Sequence, residues 1–534
     1  MKKTISIVFS LSFLLGLNVY SGGELSENQK AIDVTHYDIN LKVDPSRKII
    51  SGKVGITFLL EKQPKNFEFD LIDSLKVSEV SINEMILSFY QKNNKIMISN
   101  PGFEIGKVYC AVIKYGGEPP VAKKPPWIGG FSWEKSEDGR PWVGVSCQTN
   151  GAYIWYPCKE HPSDKPNGAK IAITVPEPLT VASNGLLITV ESVGSKWKTW
   201  TWETQYSISP YNINFTVGNF KKVEKTIYLI DKPLSLVYYV LPESIYGAKA
   251  LLNEAEKYLN FYVRHFGQYP WIQEKFGLVE TPYWGMEHQT INAYGNKYKK
   301  TQLGYDFLLF HEMGHEWWGN YLSVADWADF WIHEGIGTYA EAVFVEQEYG
   351  SEALKGFIKN RYKKNIQNQV PIALEKNSTT EDKKGNDIYY KGAHVLHTLR
   401  YLIGFETLKK TLKEFLYMPK ELANNQTSTK ELIYLINQNI DGEINWFFDQ
   451  YLYKSKLPTL IIEEEIKGNK KLVDFRWKEE GFKMPVEIKF YSFDGERNRK
   501  LPITNSPYKI AIPKESKLVI DPNNWLLFDK QRVN

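Results

Sequence analysis

His311-Glu312-Met313-Gly314-His315 is followed, after residues 316 to 333, by Glu334. An α-helix turns once in about 3.6 residues, so His311 and His315 project from one face and can meet one metal ion. Glu312 lies one residue further round, beside the place a water on that metal would take. The apolar run Phe307-Leu308-Leu309-Phe310 predicts the helix, and Gly319-Asn320 predicts its end. Trp331 to about Tyr349 reads as a second helix that carries Glu334 in its first turn and returns it to the same metal. Two histidines and one carboxylate leave a fourth position open for water, which is the donor set of a catalytic zinc rather than a closed structural site. An isolated H-E-x-x-H pattern occurs by chance. Here a third ligand and an apolar helix accompany it, and the reading is one zinc per chain on His311, His315 and Glu334.

The rest of the composition sets bounds. A chain of 534 residues exceeds one ordinary core and predicts three or four units. Hydrophobic residues at 43% and charged residues at 24% fit a globular enzyme and exclude a disordered chain. The net charge of +4 comes from scattered lysines and arginines, so no nucleic-acid partner is expected. Residues 1–22 read as a secretory signal: Lys2 and Lys3 precede an apolar run from Ile5 to about Tyr20, and Ser21 and Gly22 follow. That run is short for a membrane span, so a secreted or periplasmic protein without a stable span is expected, with the uncleaved anchor as alternative. Only Cys110, Cys147 and Cys158 occur, so the fold cannot depend on a disulfide framework.

Along the chain, Tyr37, Ile39, Leu41 and Val43 alternate with polar residues, Asp44-Pro45 turns, and Val54, Ile56 and Phe58 alternate again. This predicts a hairpin. Similar runs recur to about residue 222, giving an all-β domain over 23–222. From Glu243 the period becomes helical, with Leu251, Leu252, Ala255, Leu259, Tyr262, Val263 and Phe266 on one face. A mainly helical catalytic domain is therefore expected over 223–455. Strand patterns return from Leu460 and predict a small β-sandwich over 456–534. The whole is a multidomain α+β protein, and the polar stretch Asn377 to Asn386 reads as a surface loop.

Two further constellations bear on chemistry. Trp284-Gly285-Met286-Glu287-His288-Gln289 precedes the metal helix, and a carboxylate such as Glu287 beside the zinc would pair with a substrate's free amine. The plainer alternative is an ordinary exposed glutamate. Ile388-Tyr389-Tyr390-Lys391-Gly392 places tyrosines before a helix, and a phenol near the metal can donate a hydrogen bond to the oxyanion of peptide hydrolysis. Either tyrosine could instead be packing.

Together these motifs resemble the gluzincin aminopeptidases, the family of membrane alanyl aminopeptidase and leukotriene hydrolase. The family's G-x-M-E-N is answered by Gly285-Met286-Glu287-His288, its zinc motif by His311 to Asn320 with Trp331-Ile332-His333-Glu334-Gly335, and its tyrosine before K-G by Tyr389-Tyr390-Lys391-Gly392. The resemblance implies a thermolysin-like catalytic domain. It implies Tyr389 as oxyanion donor, Glu312 as general base, and an amine clamp made by Glu287 with Gln148 of the stretch Cys147-Gln148. Gly285 and Met286 would line the substrate on an edge strand. Trp284 and His288 stand where the family has Gly and Asn, so the pocket beside that strand is altered. His288, His333, His394 and His397 are read as packing or supporting residues. No counterpart of the family's large helical C-terminal domain is read in the sequence.

The expected function is a zinc aminopeptidase acting on peptides with a free N-terminus, as a monomer or an oligomer of unspecified size. The alternatives are a thermolysin-like endopeptidase, which lacks the amine clamp, and a secreted peptide-binding protein with a vestigial site.

Overall fold

The computed structural model describes residues 20–493 and 495–533. The leader expected at residues 1–22 lies outside these up to residue 19.

Alternation builds the first sheet. In strand Ile32–Asp44 the side chains of Tyr37, Ile39, Leu41 and Val43 are buried while Asp38, Asn40 and Lys42 face solvent, as successive residues of a strand point to opposite faces. It pairs antiparallel with Ile49–Leu60 in the register Ile39 opposite Val54. Asp44 closes the turn between them, its Oδ1 accepting the amides of Ser46 and Arg47 at 3.1 and 3.3 Å. Ile32–Asp44 sits inside an eight-stranded sheet, flanked on its other side by the parallel strand Ala169–Pro176. A four-stranded sheet (Thr180–Ser183, Phe215–Gly218, Pro141–Ser146, Gly130–Lys135) shares its core. Tyr37 of the first sheet meets Tyr156, Tyr156 meets Trp155, and Trp155 meets Phe215 of the second, at centroid distances of 5.4, 4.5 and 5.3 Å.

The second unit combines a five-stranded sheet with helices. The strand order is Lys221–Leu229, Lys232–Val240, Lys275–Glu280, Asn292–Tyr294 and, at the edge, Gly285–Met286. Helix α1, Ile245–Phe266, buries Leu251, Leu252, Ala255, Leu259, Tyr262 and Phe266, the face its sequence period predicts. Helices α2 (Phe307–Gly314), α3 (Trp331–Tyr349) and α4 (Asp387–Ile403) carry the site. Helices α3 and α4 cross at Gly335 and Gly392. A Cβ at Gly335 would stand 3.1 Å from Gly392 Cα, and one at Gly392 would stand 3.0 Å from Gly335 Cα. Only glycine lets the two backbones approach this far, and the approach brings Glu334 beside Tyr389.

The C-terminal strands form a four-stranded sheet (Tyr508–Pro513, Lys470–Trp477, Thr459–Lys467, Asp529–Val533) and a three-stranded one (Gly495–Leu501, Val486–Ser492, Lys517–Ile520). This module docks on α4: Trp525 stacks on His397 with centroids 4.7 Å apart, and its carbonyl accepts the Thr398 hydroxyl at 2.8 Å. His394 Nε2 meets the Asn524 carbonyl at 3.4 Å. His394 and His397 therefore hold the module and lie outside the site. The cysteines are free thiols. Among the described residues no helix is long and apolar enough to cross a membrane.

Candidate active site

Helix α2 starts on Asp306, whose side chain accepts the Leu309 amide at 3.1 Å and the Tyr294 hydroxyl at 2.5 Å. It ends at Gly314, earlier than the Gly319-Asn320 stop expected from sequence. Beyond it the amides of Asn320, Tyr321 and Leu322 bond the carbonyls of His315, Glu316 and Trp317, five residues back, at 2.9, 3.2 and 3.0 Å. The chain widens there, which an apolar period does not reveal. The widening turn puts the Trp318 carbonyl 2.9 Å from His315 Nδ1, so that nitrogen donates and Nε2 keeps its lone pair free.

The free donors converge. His311 Nε2 lies 3.2 Å from His315 Nε2, and Glu334 Oε2 lies 3.6 and 3.4 Å from the two. Donor atoms placed tetrahedrally at about 2.0 to 2.1 Å from one ion are about 3.3 to 3.4 Å apart, so this triangle fits zinc. Its electrostatics agree. Burial alone would lower the His315 pKa, yet Glu334, with Glu287 and Glu312 behind it, pushes it up to about 10. The carboxylates around this buried histidine favour a positive charge there, which a metal cation would supply.

Glu312 faces the triangle from one side. Its carboxyl is raised well above the ordinary range by burial and then by Glu287. The edge strand passes so close that a Cβ at Gly285 would lie 2.6 Å from Glu312 Oε1. A side chain at position 285 would have to displace Glu312 or Leu308, and Met286 beside it is buried. Glu287 ends the cleft as a buried carboxylate, accepting hydrogen bonds from Gln148 Nε2 and, at 3.2 Å, from the Tyr211 hydroxyl. Burial, ahead of all other causes, raises its pKa. Asn320 holds the Glu287 carbonyl at 2.8 Å, tying the clamp to the turn after the metal motif. Glu316 anchors the same region, taking hydrogen bonds from Trp271, the Thr290 amide and Asn292 at 2.7, 3.0 and 2.7 Å.

Tyr389 opens α4 with its ring 6.1 Å from that of His311. Burial, with Glu334 and Glu287 nearby and a hydrogen bond to Glu334, holds its hydroxyl well above the usual phenol range, so it stays a donor. Tyr390 instead turns its ring toward Tyr362 and the Arg361 guanidinium, 6.3 and 5.7 Å away. Gln148, Gly285, Met286, Glu287, His311, Glu312, His315, Glu334 and Tyr389 all line one cleft. His288 does not. It is fully buried, neither ring nitrogen finds a partner, and burial lowers it to about 3. His333 also points away, its Nε2 accepting the Val324 amide at 2.9 Å.

Around the cleft stand residues that sequence reasoning did not assign to it, Trp284 being noted only as an alteration of the pocket. Tyr211 signals itself only by lying before the strand Phe215–Gly218. Trp127, Trp284 and Phe307 form a row leading to His311, with successive centroid distances of 5.9, 6.0 and 5.4 Å. Trp284 thus makes its departure from glycine into part of a wall. Arg361 stacks 4.3 Å from the Phe307 centroid. Lys383 also lines the cleft, and the stretch Asn377 to Asn386 is more than a surface loop. Ser378 and Thr380 are buried, because the segment is bonded to both neighbouring domains.

Comparison with known proteins places these observations in a family. The Peptidase M1 N-terminal domain profile matches residues 34–212, and the Peptidase family M1 domain profile matches residues 251–451. Aminopeptidase M1 of Arabidopsis thaliana is 22% identical over 469 residues, 81% of this chain and 51% of that protein. The chain spans about half the length, or less, of the curated relatives it matches first. Among solved structures, a mutant M1 zinc metallopeptidase from Deinococcus radiodurans bound to a Tyr-Ser-Ala substrate superposes with a TM-score of 0.68 at 23% identity, covering 83% of this chain and 98% of that one. Legionella pneumophila aminopeptidase A in complex with aspartic acid gives 0.75 at 14% identity, covering 94% and 60%.

Proposed function

The chain belongs to the peptidase M1 family, and from that premise we propose that it is a zinc-dependent aminopeptidase that releases the first residue of peptides with a free amine. The carrying observation is Glu287: a buried carboxylate, clamped by Gln148 and Tyr211, that closes one end of the cleft beside the His311, His315 and Glu334 donors. A charged group is costly to bury without a partner, and a substrate ammonium is the partner that fits. Such a clamp admits only one residue before the scissile bond, which favours an aminopeptidase over an endopeptidase. An intact donor triangle with an intact base argues against a vestigial binding protein.

Zinc on His311, His315 and Glu334 would supply a water of lowered pKa and a Lewis acid for the scissile carbonyl. Glu312 takes the proton of the attacking water and passes it to the leaving amine. The Tyr389 hydroxyl donates to the carbonyl oxygen as charge develops there. The edge strand Gly285–Met286 pairs with Asn292–Tyr294 on one side only, so its other side is free to take the peptide as an added strand. The apolar run from Ile5 to about Tyr20 behind Lys2 and Lys3 supports a secreted or periplasmic location.

The test is a panel of aminoacyl fluorogenic amides and their N-acetylated counterparts, run with and without chelator. Turnover of free-amine substrates that stops with chelator and returns with zinc is expected. Equal or faster cleavage of blocked peptides would replace this reading with an endopeptidase.

A further inference from the structure

We propose that Lys383 makes this cleft selective for an acidic first residue, aspartate or glutamate, and this rests on the aminopeptidase reading above. The segment that carries Lys383 is fixed rather than loose. The Asp326 carboxylate accepts the Asn377 and Ser378 amides at 2.7 and 3.2 Å, the Asp382 carboxylate accepts the Thr379 amide at 2.7 Å, and the Thr380 hydroxyl donates to the Thr149 carbonyl at 2.6 Å. Thr149 follows Gln148, so this last bond seats the segment beside the amine clamp. Lys383 then enters the cleft over two aromatic faces, its Nζ 5.1 Å from the Phe330 centroid and 5.6 Å from that of Tyr389. Among the described residues it forms no ion pair. Burial lowers its pKa, and the carboxylates that act on it in return are Glu334 and Glu287.

Those two carboxylates bracket the substrate's first residue. Its ammonium goes to Glu287, and its carbonyl goes between Glu334 and Tyr389, so the α-carbon lies between groups that both act on Lys383. The side chain on that carbon is the part of the substrate within reach of the lysine. The other cation of the cleft differs on each point. Arg361 stands over Phe307 and Tyr390, where the peptide leaves, and already has Glu341 at 4.0 Å. Glu287 is claimed by the ammonium and Glu334 by the metal, so neither is free to neutralise Lys383 in the occupied site. A substrate carboxylate does so, and a substrate lysine or arginine meets repulsion.

The experiment compares glutamyl and glutaminyl fluorogenic amides, which match in size and differ in charge, with alanyl amide as reference, on the zinc-loaded full chain. kcat/KM for glutamyl amide should exceed that for glutaminyl amide by about 10- to 100-fold, the discrimination one charge-assisted contact supports. The ratio should collapse toward one in Lys383→Met, return in Lys383→Arg and invert in Lys383→Glu. Because the ratio is taken within each protein, a change in overall fold or metal content cancels. If the wild type turns over alanyl amide but treats glutamyl and glutaminyl amides alike, or if the ratio survives in Lys383→Met, the inference falls and the aminopeptidase reading stands. If no aminoacyl amide is hydrolysed, the aminopeptidase reading itself has failed.

Discussion

Removing the Glu287 carboxylate tests the logic of the whole cleft. Glu287→Ala deletes the one buried acid at the closed end and leaves Gln148 Nε2 and the Tyr211 hydroxyl without their acceptor. A hydrogen bond to a charged group contributes about 1.5 to 3 kcal/mol, and truncating one partner of a buried charge pair costs about 2 to 5 kcal/mol. Taking about 3 kcal/mol, kcat/KM for a free-amine substrate falls roughly 150-fold at about 1.4 kcal/mol per factor of ten. The triangle of His311, His315 and Glu334 is untouched, so bound zinc should stay at one per chain. The assay pairs alanyl p-nitroanilide with propionyl p-nitroanilide, which is the same molecule without the amine. The wild type should prefer the first strongly and the variant only weakly. An equal loss on both substrates, with zinc retained, would mean that Glu287 supports the turn at Asn320 and does not bind the ammonium.

Glu312→Gln should keep its zinc, measured by atomic absorption, while kcat falls about 10²- to 10⁴-fold; full activity in the loaded variant would remove the general base. Tyr389→Phe should lower kcat about 10²- to 10³-fold with KM nearly constant, and a larger loss in Tyr390→Phe would transfer the role to the neighbour. Gly392→Ala places a Cβ 3.0 Å from Gly335 Cα, so thermal melting should show a loss of about 1 to 3 kcal/mol from overpacking; an unchanged Tm would show that α3 and α4 can part without cost. Peptides of two to twelve residues sharing one first residue should show nearly constant kcat/KM, and a steep fall beyond four residues would show that something covers the exit.

The first hairpin, the buried face of α1 and the α3 helix were legible because each expresses one period, of two or of about 3.6, over many residues. The five-stranded sheet was harder. Lys275–Glu280, Asn292–Tyr294 and Gly285–Met286 are six, three and two residues long, too short for alternation to show, and their order in the sheet depends on pairings that no local pattern encodes. The metal donors and Glu312 could be named because one helical face and one spacing constrain them. Gln148 came only through resemblance, since its place beside Glu287 depends on how the β domain meets the catalytic one. Lys383 was hidden for the opposite reason. Its polar setting, Asn377 to Asn386, looks solvated, and only the bonds to Asp326 and Thr149 turn it inward.

The position of the C-terminal sandwich leaves the lining of the cleft to the two domains that precede it. Among the described residues, every one that lines the cleft precedes Lys391, because the sandwich binds the side of α4 that carries His394, His397 and Thr398. Tyr389, at the start of the same helix, looks the other way. One helix therefore presents its first turn to the chemistry and its middle to the docked module. Closure is local instead. On the aminopeptidase reading Glu287, held by Gln148 and Tyr211, takes the amine, Lys383 reaches the first side chain, and the ring faces of Trp127, Trp284 and Phe307 line the remaining wall for a peptide of any sequence. The proposed roles of Glu287 and Lys383 put selectivity on the first residue, and it is there that a substitution should change which peptides are cut rather than how long they can be.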